Sequence, residues 1–222
     1  MTKIIYVTIV LFFCLGILSC KAEEVTVTIN NLRLDEKKLQ FDFILENNTD
    51  NTIWFCKDID DKSEIDYEIK VDEKKKRIMI RFVSFIVPQN ILLEEPIWAK
   101  YSKLHPKKSF RRNIKVEVPI SEISPIRKKE SSEVKQIMYA NTLILEIGIY
   151  KLNLEDYKTQ CCRDDSNSQN AFVNCFWAEK NKEQTIRTQM ENQKIPVVIQ
   201  QWQSHSGLYL LKWQTRSKGR TE

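Results

Sequence analysis

Apolar and polar residues alternate strictly over much of the first two thirds of the chain. Val25, Val27 and Ile29 alternate with Thr, and Leu39, Phe41, Phe43 and Leu45 form the next stripe. Ile53 and Phe55 alternate with Trp54 and Cys56, so this segment is apolar on both faces and is predicted to be a central strand. Ile65, Tyr67, Ile69 and Val71 alternate with acids and lysine, and Ile78, Ile80 and Phe82 follow the charged turn DEKKK. Ile114, Val116 and Val118 form a stripe that ends at Pro119, and Leu143, Leu145, Ile147 and Ile149 make the clearest stripe of all. A period of two with one apolar face is the pattern of half-buried strands. Turn-forming runs separate the stripes: ENNTDN at Glu46–Asn51, DIDDKSE at Asp58–Glu64 and HPKK at His105–Lys108. Seven or more short strands at this spacing predict an all-β, antiparallel β-sandwich.

The last third is less regular. Ser121–Lys135 has no period and is predicted to be a long surface connection. Leu152–Gln169 is polar and carries the adjacent Cys161 and Cys162, which predicts an irregular, disulfide-bearing insertion. Phe176–Lys194 has sparse apolar positions and predicts at most a short helix. IPVVIQQW and LYLLKW flank QSHSG at Gln203–Gly207, which predicts a C-terminal hairpin. The insertion has too little apolar periodicity for a core of its own, so residues 24–213 are read as one elaborated sandwich domain, followed by a polar, basic tail at 214–222.

The N-terminus departs from the strand pattern. Lys3 precedes Ile4–Leu18, an almost wholly apolar run of h-region length that is short for a membrane span. Ile17-Leu18-Ser19-Cys20 resembles a bacterial lipobox, which implies a lipoprotein signal peptide at 1–19, a diacylglycerol-linked Cys20 and a short tether at 20–23. Ordinary cleavage after Ala22 is one alternative, giving a secreted or periplasmic protein, and an uncleaved anchor is another; all three readings place residues 23–222 outside the cytoplasm. The acyl chains would supply about 0.8 kcal/mol per buried methylene. Lys21 is not the aspartate that retains some enterobacterial lipoproteins at the inner membrane, so the expected site is the cell envelope, on the outer membrane where the organism has one.

An exported chain changes the reading of the six cysteines. Cys14 leaves with the leader and Cys20 carries lipid, so Cys56, Cys161, Cys162 and Cys175 are the disulfide candidates. A vicinal Cys161–Cys162 bridge is strained. The expected arrangement bonds one of that pair to Cys175, closing a loop of roughly fifteen residues worth about 3 kcal/mol, and the other to Cys56. No CxxC occurs and the chain has two histidines, so zinc and catalytic thiol chemistry are disfavoured. With four glycines in all, phosphate-binding glycine loops and dinucleotide folds are excluded.

Three motifs carry a resemblance. Asn47 to Asp60, NNTDNTIWFCKDID, resembles the turn and strand of an uncharacterised group of exported bacterial proteins. Tyr101-Ser102-Lys103-Leu104-His105-Pro106 resembles that group's Y-x-x-L-x-P segment, and Leu145–Tyr150, LEIGIY, resembles its L-E-I-G-Y-Y strand. Glycine, expected after the proline in such turns, is replaced here by Lys107. The resemblance spans residues 24–213 loosely and implies an Ig-like sandwich of unassigned function. The N-x-T turn is also distantly similar to the Ig-like fold of a bacterial intracellular proteinase inhibitor, an analogy of fold alone.

Candidate chemistry is thin. His105 and His205 both sit in turns, where a solvated histidine is the simpler reading than a catalytic one. Asp58, Asp60, Asp61, Glu64 and Asp66 crowd one stretch, but Lys62 interrupts it and no glycine permits a calcium-loop turn. Lys100, Lys103, Lys107, Lys108, Arg111, Arg112 and Lys115 are candidates for an anionic surface, lipid headgroup or polymer; lysines guarding a β edge are the simpler account. Trp54, Trp98, Trp177, Trp202 and Trp213 can stack on sugars or peptides, yet core packing suits most of them. Asn47-Asn48-Thr49 fits the glycosylation pattern, which is uninformative in a bacterial chain.

The sequence therefore predicts a non-catalytic binding or structural module, anchored to the membrane through its N-terminal lipid, with no cofactor and no metal. Its partner is an envelope protein or an anionic polymer and not nucleic acid. A hydrolase with an unrecognised loop site and a proteinase-inhibitor-like module are the alternatives.

Overall fold

The computed structural model describes residues 24–59, 66–87, 91–93, 96–124, 134–157, 162–163, 169–180, 183–200 and 209–211. They form fifteen strands, one short α-helix and one 3-10 turn (Leu154–Tyr157): β1 (Val25–Leu34), β2 (Lys38–Asn47), β3 (Ile53–Asp58), β4 (Glu68–Asp72), β5 (Arg77–Phe82), β6 (Ile91–Leu93), β7 (Trp98–Leu104), β8 (Ser109–Glu117), β9 (Val134–Ala140), β10 (Thr142–Tyr150), β11 (Cys162–Arg163), β12 (Asn170–Asn174), α1 (Cys175–Lys180), β13 (Gln184–Met190), β14 (Ile195–Gln200) and β15 (Tyr209–Leu211). The chain is nearly all β, as the alternation predicts.

The smaller layer is the antiparallel sheet β1-β2-β8. Leu39, Phe41, Phe43 and Leu45 of β2 point to one side and are buried, while Leu39 and Phe41 face Val116 and Ile114 of β8 in register. The larger layer runs β11-β12-β7-β3-β10-β5-β4, with β13 along the remaining edge of β10. Leu143 to Ile147 pair in parallel with Ile78 to Phe82 on one edge and antiparallel with Met190 to Ile186 on the other. Ile149 pairs with both Phe55 and Gln184, so β5 and β3 follow one another along the edge opposite β13. The sheet thus forks at β10. As its two-faced apolar pattern predicts, β3 is interior, lying between β7 and β10. The two layers meet through tilted ring contacts, Phe43 to Phe82 at 5.5 Å and Phe55 to Phe110 at 4.7 Å.

The opposite face of the larger sheet is covered as well. Trp177 of α1 lies on it, meeting Tyr150 edge-on at 5.5 Å and Tyr157 at the same distance. Tyr150 in turn contacts Tyr101 of β7 at 5.2 Å. Consequently β10 is buried on both faces along almost its whole length.

The ENNTDN turn is built on one side chain. Asn47 is fully buried; its amide donates to the carbonyl oxygens of Asn51, Leu104 and His105, and its Oδ1 accepts from the Thr49 N–H and Oγ1. Its backbone bonds to Lys107 and Lys108. Asn47 thereby pins the β2–β3 turn to the β7–β8 turn, and its nitrogen is committed to packing, so the sequon is not an acceptor site. Lys107, where glycine is expected, takes a left-handed φ of 56° while its N–H donates to the Asn47 carbonyl.

Several expectations are corrected. The C-terminal apolar segments do not pair with each other: β14 runs antiparallel to β9, and β15 lies parallel to β6. Alternation identifies a strand but not its neighbour; Ile195 and Val197 reach the main core beside Ala140 and Met138. The aperiodic stretch 121–135 contains the start of β9, and Ile120 and Ile123 bridge to Val197 and Ile69. Gln184–Met190, within the segment read as a short helix, is a strand, while α1 is six residues long. Cys56 is a free thiol buried in the main core, so the expected bridge to it is not formed. Cys175 is buried in a smaller cluster with Phe85 and Ile97, Cys161 lies outside the described residues, and no disulfide joins two described residues.

Candidate functional site

The strongest concentration of chemistry lies on the α1-covered face of the larger sheet. Residues directly opposite one another in register share a face, and here they alternate in charge across four strands: Glu68 of β4, Arg81 of β5, Glu146 of β10 and Arg187 of β13. Arg81 Nη1 donates to Glu68 Oε2 at 2.5 Å and its Nε to Glu146 Oε2 at 2.6 Å. Arg187 Nε donates to Glu146 Oε1, also at 2.6 Å. The side chains of Glu68 and Glu146 are 6 % and 3 % exposed, whereas Arg187 is 67 % exposed. The row therefore runs from the interior to solvent.

A second polar group adjoins it. Glu183, just before β13, turns its carboxylate inward although the residue as a whole is half-buried. Its Oε2 accepts from the Ser84 N–H at 2.9 Å and the Ser84 hydroxyl at 2.7 Å, and its Oε1 accepts from the Tyr101 hydroxyl. Gly148 makes this possible. A Cβ there would overlap the Glu183 carboxylate, so the missing side chain on β10 is the space the acid occupies. Burial pushes the Glu183 carboxyl above its ordinary value, against the bonds from Tyr101 and Ser84 and the nearby Arg81 charge. The Tyr101 hydroxyl also lies within hydrogen-bond reach of the Cys56 thiol, and burial drives both of these groups well above their ordinary values.

This arrangement does not assemble a nucleophile. Cys56 is kept as a thiol and donates to the Asp58 carbonyl at 3.7 Å. His105 is exposed in its turn, with Nδ1 3.5 Å from Thr52 Oγ1; His205 lies outside the described residues. Among the described residues no group of His, Cys, Asp and Glu is placed to hold a metal ion. Of the acidic stretch, Asp58 and Asp66 both bond Arg112, while Asp60, Asp61 and Glu64 lie outside the described residues.

The basic stretch is divided between the layers. Lys100 and Lys103 belong to β7 of the larger sheet, whereas Arg111, Arg112 and Lys115 belong to β8 of the smaller one. Arg112 stands opposite Phe43 on the inward face, 5.0 Å over the Phe82 ring, and bonds Asp58, Asp66 and the Lys57 carbonyl. Arg111 bonds Asp42 at 2.7 Å; the Asn31 amide, Arg111 and Asn113 together hold that carboxyl far below its ordinary range. Lys107 bonds the Asn48 carbonyl and Asp50. Lys100 lies over Phe172 and Lys103 over Trp54, and Lys108 and Lys115 are exposed. Trp54 and Trp177 are buried, Trp98 is half-buried, and Trp202 and Trp213 lie outside the described residues.

The outer surface carries one paired apolar feature. Ile137 and Tyr139, two apart on β9, are 53 % and 60 % exposed. They stand opposite Val198 and Pro196 of β14, whose other edge bonds Ile120. Among the described residues β9 has β14 on one edge and no strand on the other. Neither the interior charge row nor β9 was legible as a site in sequence. Glu146 inside the LILEIGIY stripe is the signal for the row, and VKQIMYA is the signal for β9.

Cys20 and the whole leader lie outside the described residues, and among those described no helix is long and apolar enough to cross a membrane. No family model, curated protein or solved structure matches the chain.

Proposed function

We propose that this chain is a non-catalytic binding module of the bacterial cell envelope, an Ig-like sandwich anchored through a lipid on Cys20. Its docking element is β9, and its partner is an envelope protein that adds an extended strand to the open edge. The observation that carries this reading is the exposure of Ile137 and Tyr139 on a strand that has, among the described residues, one unpaired edge. Such an edge presents unused N–H and C=O groups in the geometry of β-strand addition, and alternate apolar side chains supply selectivity. The interior acids and arginines support the reading from the other side, since they bond one another rather than converge on open space. The lipobox-like ILSC and the three motifs that resemble those of exported bacterial proteins support the location.

A photo-crosslinking amino acid at position 139, in the full-length protein in its own cells, tests the docking element. A discrete adduct to an envelope protein is expected there and not from the same probe at the exposed Lys74. Equal adducts from both positions, or none from 139, overturn the proposal. The anchor has a separate test. Cys20→Ala is expected to move the protein from the membrane fraction to the soluble one, and a variant that stays with the membrane defeats the lipoprotein reading.

A further inference from the structure

We propose that Glu183 is a proton-binding position that couples the pairing of β13 with β10 to pH. The argument begins with a count of charges rather than with any single group. Three carboxyls, Glu68, Glu146 and Glu183, lie around one interior guanidinium, Arg81. Arg81 spends its Nη1 on Glu68 and its Nε on Glu146, and the other cations near the row, Arg187 and Lys70, are 67 % and 47 % exposed and bond Glu146 and Glu68. Glu183 receives only neutral donors, Ser84 and Tyr101. When three acids share one buried cation, the acid without an ion pair is the one that takes up a proton.

The neighbours can accommodate that proton. The groups facing Glu183 are Arg81 and Ser84 from β5 and its end, Tyr101 from β7, Cys56 from β3, and Gly148 with Glu146 from β10. Arg187 lies further along β13, and Glu68 of β4 lies beyond Arg81. In the ionised state Tyr101 donates to Glu183 Oε1. In the protonated state Glu183 donates to the Tyr101 oxygen, and the Tyr101 proton turns to the Cys56 sulfur. One hydroxyl rotation keeps the contact in either state.

The sign follows from burial, which raises this carboxyl above its ordinary value of 4.5. The folded state then binds the proton more tightly than the unfolded state does. Stability from this group is fully present below the unfolded value and is lost as pH rises through the folded one. Because Glu183 directly precedes β13, the element released first is the start of that strand.

The test is amide exchange of β13 in the full chain, as protection corrected for intrinsic rates, between about pH 4.5 and about pH 8. The opening equilibrium of the wild type is expected to rise by up to about tenfold per pH unit across the titration, and Glu183→Gln, a neutral stand-in for the protonated acid, is expected to remove that slope. Parallel profiles for the two proteins overturn the proposal. Where the variant fails to fold, carbon NMR of the Glu183 carboxyl in the wild type decides. An inflection above the ordinary carboxylate range supports the proposal, and one within or below that range overturns it.

Discussion

The two faces of β10 are equally dry and are held by different physics. Leu143, Leu145, Ile147 and Ile149 enter the sandwich core, where the contribution of each side chain follows its apolar area and the fit of its neighbours. Ile144, Glu146, Gly148 and Tyr150 point the other way, and there partners matter more than area. Glu146 bridges two arginines, and Gly148 leaves room for an acid from another segment. An apolar face tolerates exchange among shapes of similar volume, whereas a polar interior face fails when one partner is removed, because the survivor stays desolvated.

That contrast can be broken most strongly at Glu146. Glu146→Ala is expected to cost about 4 kcal/mol by leaving Arg81 with an incomplete charge count. Chemical denaturation measures it, and pairing it with both Arg81→Met and Glu68→Gln, which removes the other buried charges of the row, is expected to recover much of the loss. Leu145→Ala, one position along the same strand, is expected to cost about 3 kcal/mol, with no recovery from any single change on the opposite face. If both faces obeyed the same rule, the loss at Glu146 would be no more recoverable than the loss at Leu145. The smallest effect sharpens the contrast at Gly148. Gly148→Ala is expected to cost about 2 kcal/mol by expelling the Glu183 carboxylate, but close to nothing when Glu183 is already Ala. Additive costs in that cycle would show that the glycine acts through the backbone and not by making room.

The sequence displayed the apolar face and concealed the other. The Leu143–Ile149 stripe and the β2 stripe are strong because one face of each is wholly apolar, and both became strands where expected. β13 escaped notice because none of its residues is fully buried: Thr185 and Arg187, opposite Gly148 and Glu146, are exposed, and Ile186 and Met190 are half-buried, so no apolar stripe marks the strand. β9 escaped because two of its apolar residues point outward. The N-x-T motif was recognisable as a turn, but that its asparagine would serve carbonyls from a turn 57 residues away was not. Pairing was hidden for the same reason at the C-terminus. Local pattern says that β14 and β15 are strands, and only distant partners, β9 and β6, say where they go.

The forked pairing of β10 also sets an order of assembly. Its upstream partners, β5 and β3, are made long before it, but its other edge waits for β13, on the far side of the whole 151–183 connection. A chain emerging N-terminus first therefore holds its most apolar strand with one flank open until residue 190 has appeared. This late closure concentrates the aggregation hazard of the chain in a single interval, between the completion of β10 and the arrival of β13.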